Sequence, residues 1–211
     1  MMKKLLFLMN PCAGQKKANR HLAEIIALFN QYGWEVTTFM TTSPGSGREI
    51  VAQRARDYQL IVCAGGDGTL NETISGVLDA GSDCPIGYIP CGSTNDFAAT
   101  LKLSTDVMKA ALDIMEGSLV EYDVGRFGDR YFSYIASFGA LTQVSYTTPQ
   151  NLKNALGHLA YVLSGITALP QIRSIPMELE LDGVPVEGKY IFGNIALKAS
   201  TITLRTRRDL S

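Results

Sequence analysis

The sequence has almost no excess of charge of either sign. Its 19 Lys and Arg residues are balanced by 20 Asp and Glu residues, which leaves a formal net charge of −1. Because no overall positive field attracts a polyanion, we predict that nucleic acid is not a partner. The 46% of hydrophobic residues is typical of a globular protein with a substantial core.

Long apolar runs are also lacking. No segment approaches the ~20 apolar residues that a membrane-spanning helix needs, so we predict no transmembrane segment. The first residues imitate a signal peptide, but the apolar stretch at residues 5–9 is shorter than the roughly 7–15 residues of such a peptide's core. Asn10 and Pro11 then end it. We therefore interpret residues 5–9 as a first β-strand.

Cysteine and histidine are scarce and badly spaced for metal binding. Cys12, Cys63, Cys84 and Cys91 form no C-x-x-C pair, and the 2 histidines lie far from them in the sequence. This spacing argues against structural zinc. Cys63 lies in an apolar run, where a reduced thiol packs as a small hydrophobic group. A reducing, cytoplasmic location is the simplest expectation.

Strand and helix patterns alternate through the first half of the chain. Apolar, β-branched runs predict strands, and apolar residues spaced three and four apart, such as Leu22, Ile25 and Phe29, predict helices. Short links between such segments are typical of a parallel sheet covered by helices. The predicted strands are residues 5–9, 36–40, 60–64 and 86–89, and a further helix covers 105–115.

The pattern changes at about residue 119. Strand-like runs at 120–127 and 131–137 are joined through Gly128 and Asp129. Two more runs, 177–181 and 186–192, are joined through Asp182 and Gly183, which is a hairpin signal. One helical stretch, 152–169, lies between the two pairs. We predict an N-terminal parallel α/β domain at residues 1–118 and a mainly antiparallel β domain at residues 119–211.

The sequence CAGGDGTLNE, residues 63–72, follows a predicted buried strand and opens a helix. Gly65, Gly66 and Gly68 can adopt backbone conformations that point successive N–H groups inward, and such a nest at a helix N-terminus binds phosphate. Asp67 would then hold a divalent cation or water, or accept a proton from an attacking hydroxyl. The alternative is a tight turn in which Asp67 and Thr69 cap the helix.

Other polar loops follow the neighbouring strands. Residues 10–14 follow the first predicted strand, Thr41 follows the second, and residues 90–97 follow the fourth. In a parallel sheet these loops emerge at the carboxyl edge, where ligands bind. Several such loops at one edge favour a nucleotide phosphate site.

Three motifs carry a resemblance to a known family: NPCAG at 10–14, GGDGTLNE at 65–72 and GYIPCGSTNDFA at 87–98. They resemble the diacylglycerol kinase catalytic family, most closely its soluble bacterial members, and the family is related to sphingosine kinases. The likeness extends over roughly residues 1–195. It implies an N-terminal domain like that of phosphofructokinases and NAD kinases. It also implies ATP-dependent, Mg2+-dependent phosphorylation of a lipid hydroxyl such as that of diacylglycerol.

The resemblance assigns roles to individual positions. Asp67 would be catalytic, by organising metal or water, whereas the metal ligands stay unassigned. Ser93 stands where the family usually has Thr. The residues expected to bind the nucleotide are Asn10, Gly14, Thr41, Gly65, Gly66, Asp67, Gly68, Thr69, Asn71, Ser93 and Asn95.

The same resemblance implies where the protein acts. A lipid substrate at the inner membrane surface would make the protein cytoplasmic and peripheral to that membrane, and a homodimer is left open. NAD kinases also carry G-G-D-G, but the P-x-G-x-x-N-D-F loop at residues 90–97 favours a lipid kinase.

The last residues depart from the family's pattern. After the strand near residues 190–194 the family has a Gly-rich turn and then an acidic D-G-x-L-D stretch that supplies the catalytic base. This chain instead reads ALKASTITLRTRRDLS. We therefore expect a chain truncated or divergent after about residue 195. The alternative function is nucleotide binding without catalysis, and a basic, membrane-attracting tail is another interpretation.

Overall fold

The computed structural model describes residues 2–127, 129–139, 174–181 and 184–196. The described chain divides into two compact units, one ending at Tyr134 and the other spanning Ile135–Ala196. The helix predicted at 152–169 lies outside the described residues.

A parallel sheet forms the centre of the first unit, with the strand order β2-β1-β3-β4. All four strands end at one edge, because Met9 lies opposite both Met40 and Ala64, and Gly65 lies opposite Pro90. The strands are β1 (Lys3–Met9), β2 (Trp34–Met40), β3 (Leu60–Gly65) and β4 (Ile86–Pro90). The four predicted strands are therefore confirmed.

Helices follow the strands in turn. Two short 3-10 turns also form, at Ala13–Lys16 and at Ala55–Asp57. The helices are α1 (Lys17–Arg20), α2 (Leu22–Gln31), α3 (Ser46–Arg54), α4 (Asp67–Asp79), α5 (Asp96–Thr100) and α6 (Val107–Glu116).

The sheet has an apolar layer on each face because successive side chains of a strand point in opposite directions. Phe7 of β1 packs with Phe29 of α2 and with residues of α6, and the rings of Phe7 and Phe29 meet edge to face. Leu6 and Leu8 of the same strand pack on the other face with Val51 of α3 and with α4. Helices therefore cover both faces of the sheet, and the predicted α/β class is confirmed.

The chain after α6 is mainly antiparallel. In the first unit β5 pairs with β6, while in the second unit β7 pairs with β10 and β8 pairs with β9. These strands are β5 (Gly125–Phe127), β6 (Arg130–Phe132), β7 (Ile135–Gly139), β8 (Ile175–Leu181), β9 (Val184–Tyr190) and β10 (Phe192–Ala196).

The strand predicted at 120–127 is shorter than expected. Only Gly125–Phe127 forms a strand, since Tyr122 and Val124 are buried in the core of the first unit. The ring of Tyr122 lies 4.9 Å from that of Phe97, edge to face. Residues up to Tyr134 belong to the first compact unit, while the domain boundary at residue 118 stays a prediction.

Across the part of the chain that the structure describes, none of the helices has the length and apolar character needed to cross a bilayer.

Candidate nucleotide site

Four loops meet at the edge where the parallel strands end. The strand order changes direction between β1 and β3, because β2 lies on one side of β1, and β3 and β4 lie on the other. Such a point at the carboxyl edge of an open sheet forms a crevice in which ligands bind. The loops after β1 and β3 flank this point, which the strand order reveals and the sequence analysis did not predict.

The loop after β3 leads directly into α4, a helix of 13 residues. Gly66 precedes the helix in an extended conformation, with no side-chain hydrogen bond capping the helix. The first N–H groups of a helix have no partner within the helix, so those of α4 are available to an anion. Gly65 is required because the side chain of Thr69 folds over it: a Cβ there would lie 2.4 Å from Thr69 Oγ1.

The loop after β1 is tied to this helix. The Asn10 amide donates to the carbonyl of Ala64 at 2.9 Å, and Asn10 Nδ2 donates to Thr69 Oγ1 at 3.3 Å. Further along the loop, Gly14 has φ +48° and packs against the backbone of Cys91. A Cβ on Gly14 would lie 1.7 Å from the Cys91 carbonyl oxygen, so only glycine fits.

The loop after β4 packs against the loop after β3, glycine on glycine. A Cβ on Gly92 would lie 2.6 Å from Gly66 Cα. Asn95 gives this loop its shape, since it adopts the left-handed conformation with φ 54°. Its side chain accepts from the Gly92 amide at 2.8 Å and donates to the Gly92 carbonyl at 2.9 Å.

The side chain of Tyr88 connects the loop after β3 with the loop after β4. Its buried hydroxyl lies 3.3 Å from the Gly65 carbonyl oxygen and 3.3 Å from Asn95 Oδ1, both of which can accept its proton. Burial, together with the nearby Cys63 thiol and Asp67 carboxylate, raises the pKa of this phenol. The hydroxyl therefore stays protonated and remains a donor between the two loops.

The carboxylate of Asp67 is held by the backbone of the loop after β4. It accepts hydrogen bonds from the amides of Asp96 at 3.1 Å and Phe97 at 3.2 Å, at the start of α5. The interpretation of GGDGT as a structural turn expected Asp67 to cap its own helix, and that expectation is wrong. Asp67 instead joins α4 to α5, so both loops keep one relative position.

The loop after β2 is held by a residue that sequence reasoning missed. The Thr41 amide donates to the Met9 carbonyl at 2.9 Å. Glu72 of α4 accepts from the amides of Gly45 at 2.8 Å and Gly47 at 3.0 Å. Glu72 closes the GGDGTLNE motif, but its role becomes visible only once α3 and α4 are known to be neighbours.

The remaining predicted site residues lie in α4 and in the loop after β4. Gly68 is exposed in the first turn of α4, Asn71 lies half-buried in that helix, and Ser93 is exposed in the loop after β4. Within the described ranges, no group of three or more His, Cys, Asp or Glu residues could hold a metal ion.

A separate cavity of about 360 Å3 lies beside β4. Its lining includes Trp34, Ile86, Leu101, Ile114 and Tyr122, and none of the predicted site residues lines it. The loop cluster at the carboxyl edge is therefore distinct from this apolar cavity.

Known proteins share this sequence pattern and this fold. Residues 4–127 match the diacylglycerol kinase catalytic domain family. A diacylglycerol kinase from Bacillus subtilis (strain 168) is 37% identical over 201 residues, which cover 94% of this chain and 66% of that protein. A diacylglycerol kinase from Staphylococcus carnosus (strain TM300) is 36% identical over 202 residues, which cover 95% of this chain. The chain spans 66% of the length of each of these relatives.

Solved structures agree. A crystal structure of a diacylglycerol kinase from Bacillus anthracis str. Sterne matches with a TM-score of 0.72 and 25% identity, covering 92% of this chain and 64% of the other. A further structure from that strain matches with a TM-score of 0.75 and 26% identity, covering 92% and 65%. From the match over residues 4–127, the chain belongs to the diacylglycerol kinase catalytic domain family.

Proposed function

We propose that this chain is an ATP-dependent lipid kinase, which transfers the γ-phosphate to the hydroxyl of diacylglycerol or a related lipid. The observation that carries the proposal is the cluster of four loops around the uncapped N-terminus of α4. The first backbone N–H groups of α4 and the positive end of its helix dipole suit a polyphosphate. The names of the relatives support the lipid acceptor.

The nucleotide would lie along the loops at the carboxyl edge. The amides of Gly66, Asp67 and Gly68 would contact phosphate oxygens, and the hydroxyl of Thr41 would approach from the end of β2, on the far side of β1. The contacts between Gly14 and Cys91 and between Gly66 and Gly92 give this surface its shape without side chains in the way. Phosphoryl transfer depends mainly on positioning and charge neutralisation, which such a rigid surface provides.

Magnesium fits the chemistry of the residues present. Mg2+ prefers oxygen ligands and is commonly held by one or two carboxylates together with substrate phosphates. The Asp67 carboxylate would supply such a ligand directly or through water, since each oxygen has a lone pair beyond the one that accepts from Asp96 or Phe97. When bound, Mg2+ would neutralise charge on the phosphates.

The proposed lipid substrate indicates where the protein would act. Diacylglycerol resides in membranes, so the kinase would work at the inner membrane surface as a cytoplasmic, peripheral protein. Residues 1–118 would form the nucleotide-binding domain and residues 119–211 part of the second domain.

Transfer of labelled phosphate from ATP to vesicles that contain diacylglycerol tests the proposal. We expect Asp67→Asn to lower the transfer rate about 100-fold or more, because a misplaced group near the reacting phosphate has effects of that order. In this variant an amide N–H donor replaces one carboxylate oxygen and faces a backbone donor. Asp106→Asn is the control, since Asp106 caps α6 by accepting from the Lys109 amide at 2.8 Å, outside the loop cluster.

Other outcomes separate the alternatives. Full turnover by Asp67→Asn would contradict the role given to Asp67. ATP-Mg2+ that raises the melting temperature without any lipid phosphorylation would favour nucleotide binding without catalysis. Formation of NADP in a coupled assay would identify an NAD kinase instead.

A further inference from the structure

We infer that Glu72 is a positioning residue, which holds the segment after β2, residues 41–47, in the form that binds the nucleotide. This inference rests on the proposed function. The segment bears Thr41, and the family resemblance assigns no role to Glu72.

The contact between Glu72 and this segment is made by both carboxylate oxygens. Oε1 accepts from the Gly45 amide at 2.8 Å, and Oε2 accepts from the Gly47 amide at 3.0 Å. Both amides lie at the start of α3, where backbone donors have no partner within the helix. Gly45 itself offers no side-chain cap, so the carboxylate from α4 takes that place.

Glycine is needed at both contact points. Gly45 has φ +88°, a left-handed conformation that other residues rarely adopt. Gly47 is buried, and a Cβ there would lie 2.7 Å from Glu72 Oε2 and 3.3 Å from Thr41 Cγ2. The Glu72 carboxylate and the Thr41 side chain therefore both lie close to Gly47, so we expect a displacement of Glu72 to reach Thr41 through this glycine.

Local hydrogen bonds connect other residues of the segment to one another. Ser46 Oγ accepts from the amides of Thr42 at 3.1 Å and Ser43 at 3.3 Å, and it donates to the Ser43 carbonyl at 2.7 Å. These local bonds close a compact turn but do not fix its place in the fold. Two connections do so: the Thr41 amide on Met9, and Glu72.

Asp79 provides a matched comparison on the same helix. It also joins α4 to α3, because Arg48 donates to it from Nε at 2.5 Å and from Nη2 at 3.0 Å. This ion pair lies at the opposite end of α4 from the loop cluster, since α4 spans Asp67–Asp79. Losing either carboxylate weakens the contact between the two helices, but of these two carboxylates Glu72 is the one that bonds to residues 41–47.

The test is the dissociation constant of ATP-Mg2+ in Glu72→Ala, Glu72→Gln and Asp79→Ala, each compared with the unsubstituted chain. A segment that occupies its binding form only a tenth of the time weakens apparent affinity about tenfold, and we expect a loss of that order in Glu72→Ala. Glu72→Gln keeps one acceptor and should fall between. Asp79→Ala should lower the melting temperature but leave the affinity unchanged.

Amide hydrogen exchange adds a readout that is independent of nucleotide. The amides of Gly45 and Gly47 should exchange faster in Glu72→Ala than in Asp79→Ala. Unchanged affinity in Glu72→Ala, an equal loss in Asp79→Ala, or unchanged exchange at these two amides would each overturn the inference while leaving the proposed function intact. If the unsubstituted chain binds no nucleotide, the proposed function fails, and the inference fails with it.

Discussion

At the scale of single residues, three polar side chains in the first half of α4 each reach a different neighbouring loop. Asp67 accepts from the start of α5, Thr69 accepts from Asn10, and Glu72 accepts from Gly45 and Gly47. The GGDGTLNE motif therefore does two things: its glycines allow a tight backbone turn, and its polar side chains hold three neighbouring loops in place. None of these bonds caps the N-terminus of α4, which has no side-chain cap.

Gly14 offers a test of how closely the loops approach. Gly14→Ala should destabilise the fold by more than Gly33→Ala, measured as free energy of unfolding in urea. Both residues have positive φ, +48° and +82°, so each alanine carries a conformational cost of about 1–2 kcal/mol. At Gly14 the added Cβ also clashes with the backbone of Cys91. At Gly33 no atom lies within 4 Å of the added Cβ.

Affinity for ATP-Mg2+ should fall in Gly14→Ala and stay unchanged in Gly33→Ala, because the clash separates the loop after β1 from the loop after β4. Equal destabilisation by the two substitutions would show that the close approach of Gly14 to Cys91 does not exist in solution.

At the scale of elements, α3 and α4 form a closely packed pair on one face of the sheet. Gly76 of α4 allows the approach, since a Cβ there would lie 2.6 Å from Val51 Cβ and 2.7 Å from the Arg48 carbonyl oxygen. The pair is also joined by the Glu72 contacts and by the ion pair between Arg48 and Asp79. The placement of the loop after β2 thus depends on how these two helices pack.

Gly76→Ala should lower the melting temperature although alanine is the better helix former. Overpacking costs typically about 1–3 kcal/mol, which outweighs the ~1 kcal/mol gained in helix propensity. Gly68→Ala is the control in the same helix, because a Cβ at Gly68 meets nothing within 4 Å. We expect Gly68→Ala to keep or raise the melting temperature. A rise for Gly76→Ala would contradict the close packing of α3 on α4.

At the scale of the whole molecule, the core contains ionisable side chains that are neutral in the folded protein. Burial raises the pKa of the Cys63 thiol to about 12 and that of the Cys84 thiol to about 11. Burial also raises the pKa of the Tyr88 phenol. The neutral forms are favoured in the folded state, while the unfolded chain can ionise each group at its ordinary pKa.

The consequence is a loss of stability in alkali. A thiol whose pKa is raised on folding contributes stability that is complete below its unfolded pKa and is lost as pH rises toward its folded pKa. For Cys63 this window runs from the ordinary value of 9.0 to about 12. Within it the free energy of unfolding should fall by about 1.4 kcal/mol per pH unit for this thiol alone.

Urea denaturation under reducing conditions, from about pH 8 to about pH 11, measures the slope below and within the lower part of this window. Cys63→Ala should reduce the slope, and Cys12→Ala, which removes an exposed thiol, should not. If Cys63→Ala has the same slope as the unsubstituted chain, the thiol is not buried in its neutral form.

The sequence alone was enough for the four parallel strands, for the helices α2, α4 and α6, and for the presence of loops at one edge. Hydrophobic periodicity is a local property, and the carboxyl ends of parallel strands point to the same edge of the sheet. The boundaries after α6 could not be predicted in the same way. Tyr122 and Val124 are buried against the first unit, and that burial depends on partners such as Phe97 that are distant in the sequence.

The candidate site divides along the same line. The loops that form it could be predicted, because each follows a strand of the parallel sheet, whereas the roles of the single residues stay predictions. The hydrogen-bond partners of these residues could not be predicted: Asp67 reaches Phe97 across 30 positions, and Glu72 reaches Gly45 across 27. Which carboxylate meets which amide depends on how α3, α4 and α5 pack around the sheet. Only the tertiary structure decided that, because hydrogen bonds act over about 3 Å of space, whatever the separation along the chain.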